Sequence, residues 1–145
     1  DVELVLHQAA IPSVERSVED PVSSNRANVT ATLNLLVAAR AAHIRRFVYA
    51  SSSSAYGDSE VLPKVETMPE NPISPYALTK LTGEKYCVVF HRIYGLPTVC
   101  LRYFNVFGAR RGAPGTGSVR PCSRSSLQRV KPSTPGSMTS RIRRS

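Results

Sequence analysis

Two stretches of sequence indicate the fold most clearly, FVYASSSSAYG at residues 47–57 and SPYALTK at residues 74–80. The first opens with an apolar run typical of a buried strand and continues into a serine-rich turn. The second opens with Ser74, a good helix N-cap, and with Pro75, which suits the first helical position. A buried strand that ends in a polar turn and precedes a helix is typical of α/β proteins, which bind ligands where their strands end.

The sequence on either side extends this unit to a β-α-β-α-β order. Strands are predicted at residues 2–6, 45–52 and 97–103, and helices at about residues 24–42 and 74–94, with Gly95 as the C′ residue. The buried face of the first helix is predicted to carry Val29, Leu33, Leu36, Val37 and Ala41. The order predicts an α/β fold, a partial Rossmann-like, doubly wound parallel sheet with right-handed crossovers.

The net charge of +9 is unevenly distributed along the 145 residues. Residues 1–105 hold ten Lys and Arg and all ten Asp and Glu, so the other nine basic residues lie in 106–145. We therefore predict a Rossmann part over residues 1–108 and a disordered basic tail over residues 109–145, which have few large apolar side chains. A nucleic-acid-binding module that works through this tail is an alternative function from another class.

Tyr76 and Lys80 lie four residues apart, which places a phenol and an ammonium on one face of the predicted helix. A tyrosine at its ordinary pKa near 10 is a poor base at neutral pH, but a nearby ammonium lowers that pKa. The serine run at 51–54 ends a strand and delivers hydroxyls to the same edge of the sheet. The pattern predicts a proton-transfer site; the alternative is an ordinary helix with one buried tyrosine and one lysine extended to solvent.

The chain resembles the NAD-dependent epimerase/dehydratase family of extended short-chain dehydrogenase/reductases. The resemblance rests on the order and spacing of LVLHQAA at 4–10, NVTATLNLL at 28–36, SSSSAYGD at 51–58, SPYALTK at 74–80 and LRYFNVFG at 101–108. LPKVE at 62–66 and SVERSVEDP at 13–21 look most like UDP-sugar 4-epimerases. The resemblance implies an NAD-dependent isomerase of nucleotide-sugar metabolism that acts on a UDP-sugar, in a cytoplasmic homodimer.

The resemblance also implies roles for single residues. The catalytic residues would be Ser52, Tyr76 and Lys80. The NAD-binding residues would be Ala9, Ala10, Asn28, Tyr76, Lys80 and Phe104, and the substrate-binding residues Ser13, Ser52, Ser53 and Asn105. Asn28 as a helix-surface amide and Asn105 as a turn residue are the alternatives. No metal site is expected, and His7, His43 and His91 are interpreted as structural.

The sequence departs from the family at both ends. It contains no glycine-rich turn for a pyrophosphate, and the resemblance stops near Gly108. We therefore expect a fragment, truncated at its start and shifted out of frame near Ala109, that binds NAD weakly and is inactive alone; a genuine basic tail is the competing explanation. A 4,6-dehydratase is the nearest alternative enzyme, but its expected acidic pair is replaced here by Ser53 and Ser54.

Overall fold

Four strands form one sheet in the order β1 (Leu4–His7), β2 (Arg46–Ser52), β3 (Thr98–Tyr103) and β4 (Leu127–Val130). The computed structural model of the protein describes residues 2–105 and 127–130. The first three strands are parallel, with Val5 opposite Phe47 and Tyr49 opposite Cys100. The predicted parallel α/β sheet is confirmed, with strand ends one or two residues from their predicted positions.

The fourth strand was not predicted, because it lies within the segment predicted to be a disordered tail. Leu127–Val130 pairs antiparallel with β3, so the expectation of disorder does not hold for these four residues. The other residues of 109–145, and with them the frame-shift and nucleic-acid interpretations, lie outside the described residues.

The helices fall between the strands as the sequence predicts. They are α1 (Val14–Glu19), α2 (Pro21–Asn25), α3 (Ala31–Ala41) and α4 (Pro75–Tyr94), with a π-helical turn at Arg26–Thr30 and a 3₁₀ turn at Ser53–Tyr56. At its start α4 is capped by the Ser74 hydroxyl, which accepts a hydrogen bond from the Ala77 N–H at 3.1 Å. At its end Gly95 adopts the left-handed conformation (φ 69°), as its predicted role requires.

The first long helix is interrupted by the π-helical turn, and the face that α3 buries differs from the predicted one. Thr32, Leu36 and Ala39 are buried in α3, whereas Val37 is 54% exposed. The predicted burial of Leu36 is therefore confirmed, and that of Val37 and Ala41 is wrong.

The hydrophobic core lies between α3, α4 and one face of the sheet. Both crossovers step in the same direction across the strands, so right-handed connections place both helices on that face. The core comprises Leu36, Ala39, Ile44, Phe47, Tyr49, Cys87, Phe90, Leu96 and Cys100. On the opposite face of the sheet Leu6 is 61% exposed, and the second helical layer of a doubly wound sheet is not among the described residues. In the described part of the chain, no helix is long and apolar enough to cross a membrane.

Candidate active site

The predicted site residues lie at one edge of the sheet, where the parallel strands end. Ala9 and Ala10 follow β1, the Ser52–Ser53 step ends β2, and Phe104 follows β3. Ser52 lies opposite Tyr103 in the β2–β3 ladder, so the ends of these two strands are adjacent. This edge is where open α/β sheets bind their ligands.

Ser52 and Tyr76 are brought together by the start of α4. Ser52 lies beside the Tyr76 phenol, and the Ser52 Oγ accepts from the Ser54 N–H at 3.2 Å and the Ser54 hydroxyl at 2.9 Å. Burial raises the pKa of Tyr76, and the neighbouring Ser52 hydroxyl partly opposes that rise.

Lys80 lies one helical turn after Tyr76 and is almost fully buried. Its Nζ donates to the Ala50 carbonyl at 2.8 Å and lies 5.2 Å from the centre of the Tyr49 ring. Burial lowers the pKa of Lys80 to about 8. The pKa of Tyr76 is raised and not lowered, so the depression of that pKa by Lys80 stays a prediction.

Asn28 lies in the π-helical turn and is buried, so its interpretation as a helix-surface amide is wrong. Its Oδ1 accepts from the Ile11 N–H at 2.8 Å, and its Nδ2 donates to the Ile11 carbonyl at 3.3 Å and to Thr79 Oγ1 at 3.1 Å. Thr79 in turn donates to the Tyr76 carbonyl at 2.7 Å. Asn28 therefore fastens the segment after β1 to the first turns of α4 through bonds within the protein.

The other predicted site residues lie at the starts of α1 and the 3₁₀ turn and after the end of β3. Ser13 caps α1, where its Oγ accepts from the Arg16 N–H at 3.2 Å. Ser53 is half-buried at the start of the 3₁₀ turn, and Asn105 is exposed after β3. Phe104 stacks on Tyr56 with 6.4 Å between ring centres.

Ser17 contacts the start of α4 but was not predicted from the sequence. It is fully buried in α1, and its Oγ accepts from the Tyr76 N–H at 3.0 Å. The two residues are 59 positions apart, so no local pattern in the sequence indicates the contact.

A buried ion-pair network centred on Arg102 was also not predicted. Arg102 donates to Glu84 from Nε at 2.9 Å and from Nη2 at 2.7 Å, and to Glu70 at 2.9 Å. Burial works against its charge, but the bonds to Glu84 and Tyr56 outweigh it and raise the pKa of Arg102. The network fastens the loop before α4 to α4 and β3. The inward register of Arg102, two residues after buried Cys100, was the available signal.

His7 is buried and bonded, which agrees with its structural interpretation. Its Nε2 lies 2.8 Å from Thr32 Oγ1, which donates to the Asn28 carbonyl. Burial lowers the pKa of His7, with a smaller contribution from the Lys80 charge. Within residues 2–105 and 127–130, no cluster of His, Cys, Asp and Glu could hold a metal ion.

A half-open cavity of about 210 Å³ lies beside the serine turn and is lined by Val14, Ser54, Gly57, Ile73, Ser74 and Ala77. A larger cavity of about 520 Å³ lies beyond the carboxy-terminal end of α4, around Arg40, Tyr94 and Leu96, away from Ser52 and Tyr76. The smaller cavity borders the residues that could hold a reacting group.

Comparison with protein families gives one match over most of the chain. The model of the NAD dependent epimerase/dehydratase family matches residues 1–141. This match runs past Gly108, where the resemblance seen in the sequence ends.

Curated proteins and solved structures give matches to epimerases. A putative UDP-glucose 4-epimerase of Methanocaldococcus jannaschii is 45% identical over 120 residues, which are 82% of this chain and 39% of the relative. The UDP-N-acetylglucosamine 4-epimerase of Methanobrevibacter ruminantium, in complex with UDP-N-acetylmuramic acid, is 40% identical with a TM-score of 0.73, over 80% of this chain and 38% of that one. The UDP-glucose 4-epimerase of Thermus thermophilus, in complex with NAD, is 43% identical with a TM-score of 0.73, over 77% of this chain and 36% of that one. The chain thus spans less than two fifths of the length of these proteins.

Proposed function

The chain belongs to the NAD dependent epimerase/dehydratase family, and we propose that it forms part of an NAD-dependent UDP-sugar 4-epimerase. The observation that carries this proposal is the placement of the Tyr76 phenol beside Ser52 at the end of β2, with Lys80 one turn further along α4 and bonded to the Ala50 carbonyl of the same strand. The named relatives and structures, which are UDP-sugar 4-epimerases, support the choice of reaction.

In this proposal Tyr76 removes the proton from the sugar 4-hydroxyl, and Ser52 holds the same oxygen by a hydrogen bond. The dinucleotide, when bound, supplies reversible hydride transfer at the sugar C4. A raised pKa leaves less of Tyr76 as the phenolate near neutral pH, so Tyr76 needs a neighbouring positive charge to act as a base there. Lys80 is the candidate for that charge, because its ammonium lies on the same face of α4.

The described residues fit one end of NAD. The buried Lys80 ammonium gives one of its three N–H groups to the Ala50 carbonyl, which leaves donors suited to ribose hydroxyls. Ala9 and Ala10 follow the adjacent strand β1, where backbone can pass the cofactor, and Phe104 follows β3 and stacks on Tyr56. The glycines of residues 2–105 (Gly57, Gly83 and Gly95) form no glycine-rich turn, so these residues offer no pyrophosphate cradle. The expectation that the 145-residue chain binds NAD weakly and is inactive alone stays a prediction.

The substrate proposal is a UDP-sugar held near Ser13, Ser53 and Asn105. These residues lie in the segments that follow the three parallel strands, and the 210 Å³ cavity is lined by Val14 and Ser54, their neighbours in the chain. Ser53 and Ser54 stand where a dehydratase would need acidic groups, which favours epimerisation over 4,6-dehydration.

We also propose a cytoplasmic homodimer for the whole enzyme. α3 and α4 expose large apolar side chains away from the core, namely Leu35, Val37, Leu78, Val89 and Ile93. A second copy of these helices could cover them. The free thiols of buried Cys87 and Cys100 fit a reducing compartment.

The proposal is tested by grafting residues 1–105 into the matching region of the Thermus thermophilus epimerase and measuring interconversion of UDP-glucose and UDP-galactose. We expect the chimera to be active and Tyr76→Phe to lower kcat by at least about 100-fold. Tyr86→Phe is the matched control, because it removes a half-buried phenol from the same helix. A folded, NAD-binding chimera in which Tyr76→Phe and Tyr86→Phe are equally active would contradict the proposal.

A further inference from the structure

We infer that Ser17 is a positioning residue for Tyr76, an inference that rests on the proposed function of Tyr76 as the base. Ser17 lies in α1, far from Tyr76 in sequence, and its side chain is fully buried. Its hydroxyl donates to the Val14 carbonyl at 2.6 Å, and the same oxygen accepts from the Tyr76 N–H at 3.0 Å. One hydroxyl therefore joins the backbone of Val14, which lines the 210 Å³ cavity, to the backbone of Tyr76.

The first turn of α4 explains why this bond is needed. The first N–H groups of a helix have no partner within the helix. Pro75 has no N–H, the Ala77 N–H bonds the Ser74 hydroxyl, and the Leu78 N–H bonds the Ser74 carbonyl at 2.9 Å. The Tyr76 N–H is the donor of this turn that bonds to another element, and Ser17 supplies its acceptor.

This arrangement controls where the phenol lies. A second bond, from Thr79 Oγ1 to the Tyr76 carbonyl, fixes the other side of the same residue. With both backbone groups of Tyr76 held, the phenol is kept beside the Ser52 hydroxyl, which acts on its pKa. Loss of the Ser17 oxygen leaves the Tyr76 N–H without its acceptor and frees this turn of α4 to shift relative to β2.

The test follows the Tyr76 phenol by NMR at neutral pH in the full chain labelled with ¹³Cζ-tyrosine. The Tyr76 resonance is assigned by its loss in Tyr76→Phe, and Ser52→Ala gives the position without the neighbouring Ser52 hydroxyl. We expect Ser17→Ala to move the resonance most of the way to the Ser52→Ala position. Ser17→Thr, which keeps a hydroxyl, should restore it toward the wild-type position.

Ser24→Ala is the matched control, because it removes a buried serine hydroxyl from the neighbouring helix α2. We expect it to leave the Tyr76 resonance unmoved. Thermal unfolding of each variant separates loss of stability from loss of positioning. A wild-type resonance in Ser17→Ala, or an equal movement in Ser24→Ala, overturns the inference, whatever the change in melting temperature.

The two proposals fail separately, because this measurement needs neither NAD nor turnover. If the chimera is inactive but the Tyr76 resonance depends on Ser17, the epimerase proposal is refuted and the positioning role of Ser17 stands. An active chimera with a resonance that is independent of Ser17 would keep the epimerase proposal and refute the positioning role.

Discussion

The two halves of α4 are held in place by different kinds of interaction. In the amino-terminal half (residues 75–84), buried polar groups bond to four separate parts of the fold: the Tyr76 N–H to α1, Thr79 to the π-helical turn, Lys80 to β2 and Glu84 to β3. In the carboxy-terminal half (residues 85–94), Cys87 and Phe90 pack into the hydrophobic core. One helix thus combines directional bonds near the candidate site with non-directional burial away from it.

The two halves of α4 differ in how tightly their positions in the fold are specified. Apolar packing is tolerant of small shifts, because its free energy depends on buried area more than on angle. Hydrogen bonds lose strength steeply when their geometry changes. The half of α4 that carries Tyr76 and Lys80 is therefore the half whose position is more tightly specified. Substitutions at its polar contacts test this difference between the two halves.

The largest effect is expected from Arg102→Met, which removes the guanidinium bonded to Glu84, the last residue in the amino-terminal half of α4. Glu84 is buried and would lose its charged partner, which costs about 3–5 kcal/mol of unfolding free energy. Arg45→Met is the control, since its pair with Glu3 is 84% and 71% exposed, and we expect a change of at most about 1 kcal/mol. Urea unfolding measures both. Equal destabilisation by the two substitutions would show that burial of the Arg102 pair contributes nothing.

An intermediate effect, dependent on pH, is expected from Lys80→Met. The pKa of Lys80 is about 8 in the folded protein and about 10.4 in an unfolded chain. Between these pH values the unfolded state holds more protons, so wild-type unfolding free energy rises with pH; below pH 8 the full penalty is present. Lys80→Met lacks this penalty, so its stability relative to wild type should be greatest below pH 8, on the order of 3 kcal/mol, and should decline toward pH 10.

Chemical denaturation of both proteins from pH 6 to pH 10 measures that difference. Comparing the variant with wild type at each pH cancels the contributions of the other titrating groups. A stability difference that stays constant over this range would contradict a lowered pKa for Lys80.

The smallest effect is expected from Thr79→Val, which removes one buried hydroxyl from the amino-terminal half of α4. The substitution keeps the side-chain shape but leaves the buried Asn28 amide without one acceptor, at a cost of about 1–2 kcal/mol. Thr82→Val is the matched control three residues on, because the Thr82 hydroxyl bonds only the Leu78 carbonyl of its own helix in an exposed position. We expect a change of at most about 0.5 kcal/mol there. If thermal unfolding shows that Thr82→Val destabilises the protein as much as Thr79→Val or more, the importance of the Asn28–Thr79 bond is refuted.

Local features of the fold could be predicted from the sequence because they depend on neighbouring residues. The strand at β2, the cap at Ser74 and the stop at Gly95 follow from periodicity and from the conformations that serine and glycine allow. The grouping of Ser52 with Tyr76 followed from the resemblance to a family. The π-helical turn was not predicted, because its sequence does not differ from that of a regular helix.

By itself, then, the sequence determined the β-α-β-α-β order, the helix that carries Tyr76 and Lys80, and the strand end that carries Ser52. Only the tertiary structure decided that Ser17 bonds the Tyr76 backbone, that Asn28 bonds Thr79, and that Arg102 bonds Glu84 and Glu70. These contacts join residues 18 to 59 positions apart. Their partners are chosen by the packing of the sheet and helices, and no short-range pattern in the chain encodes them.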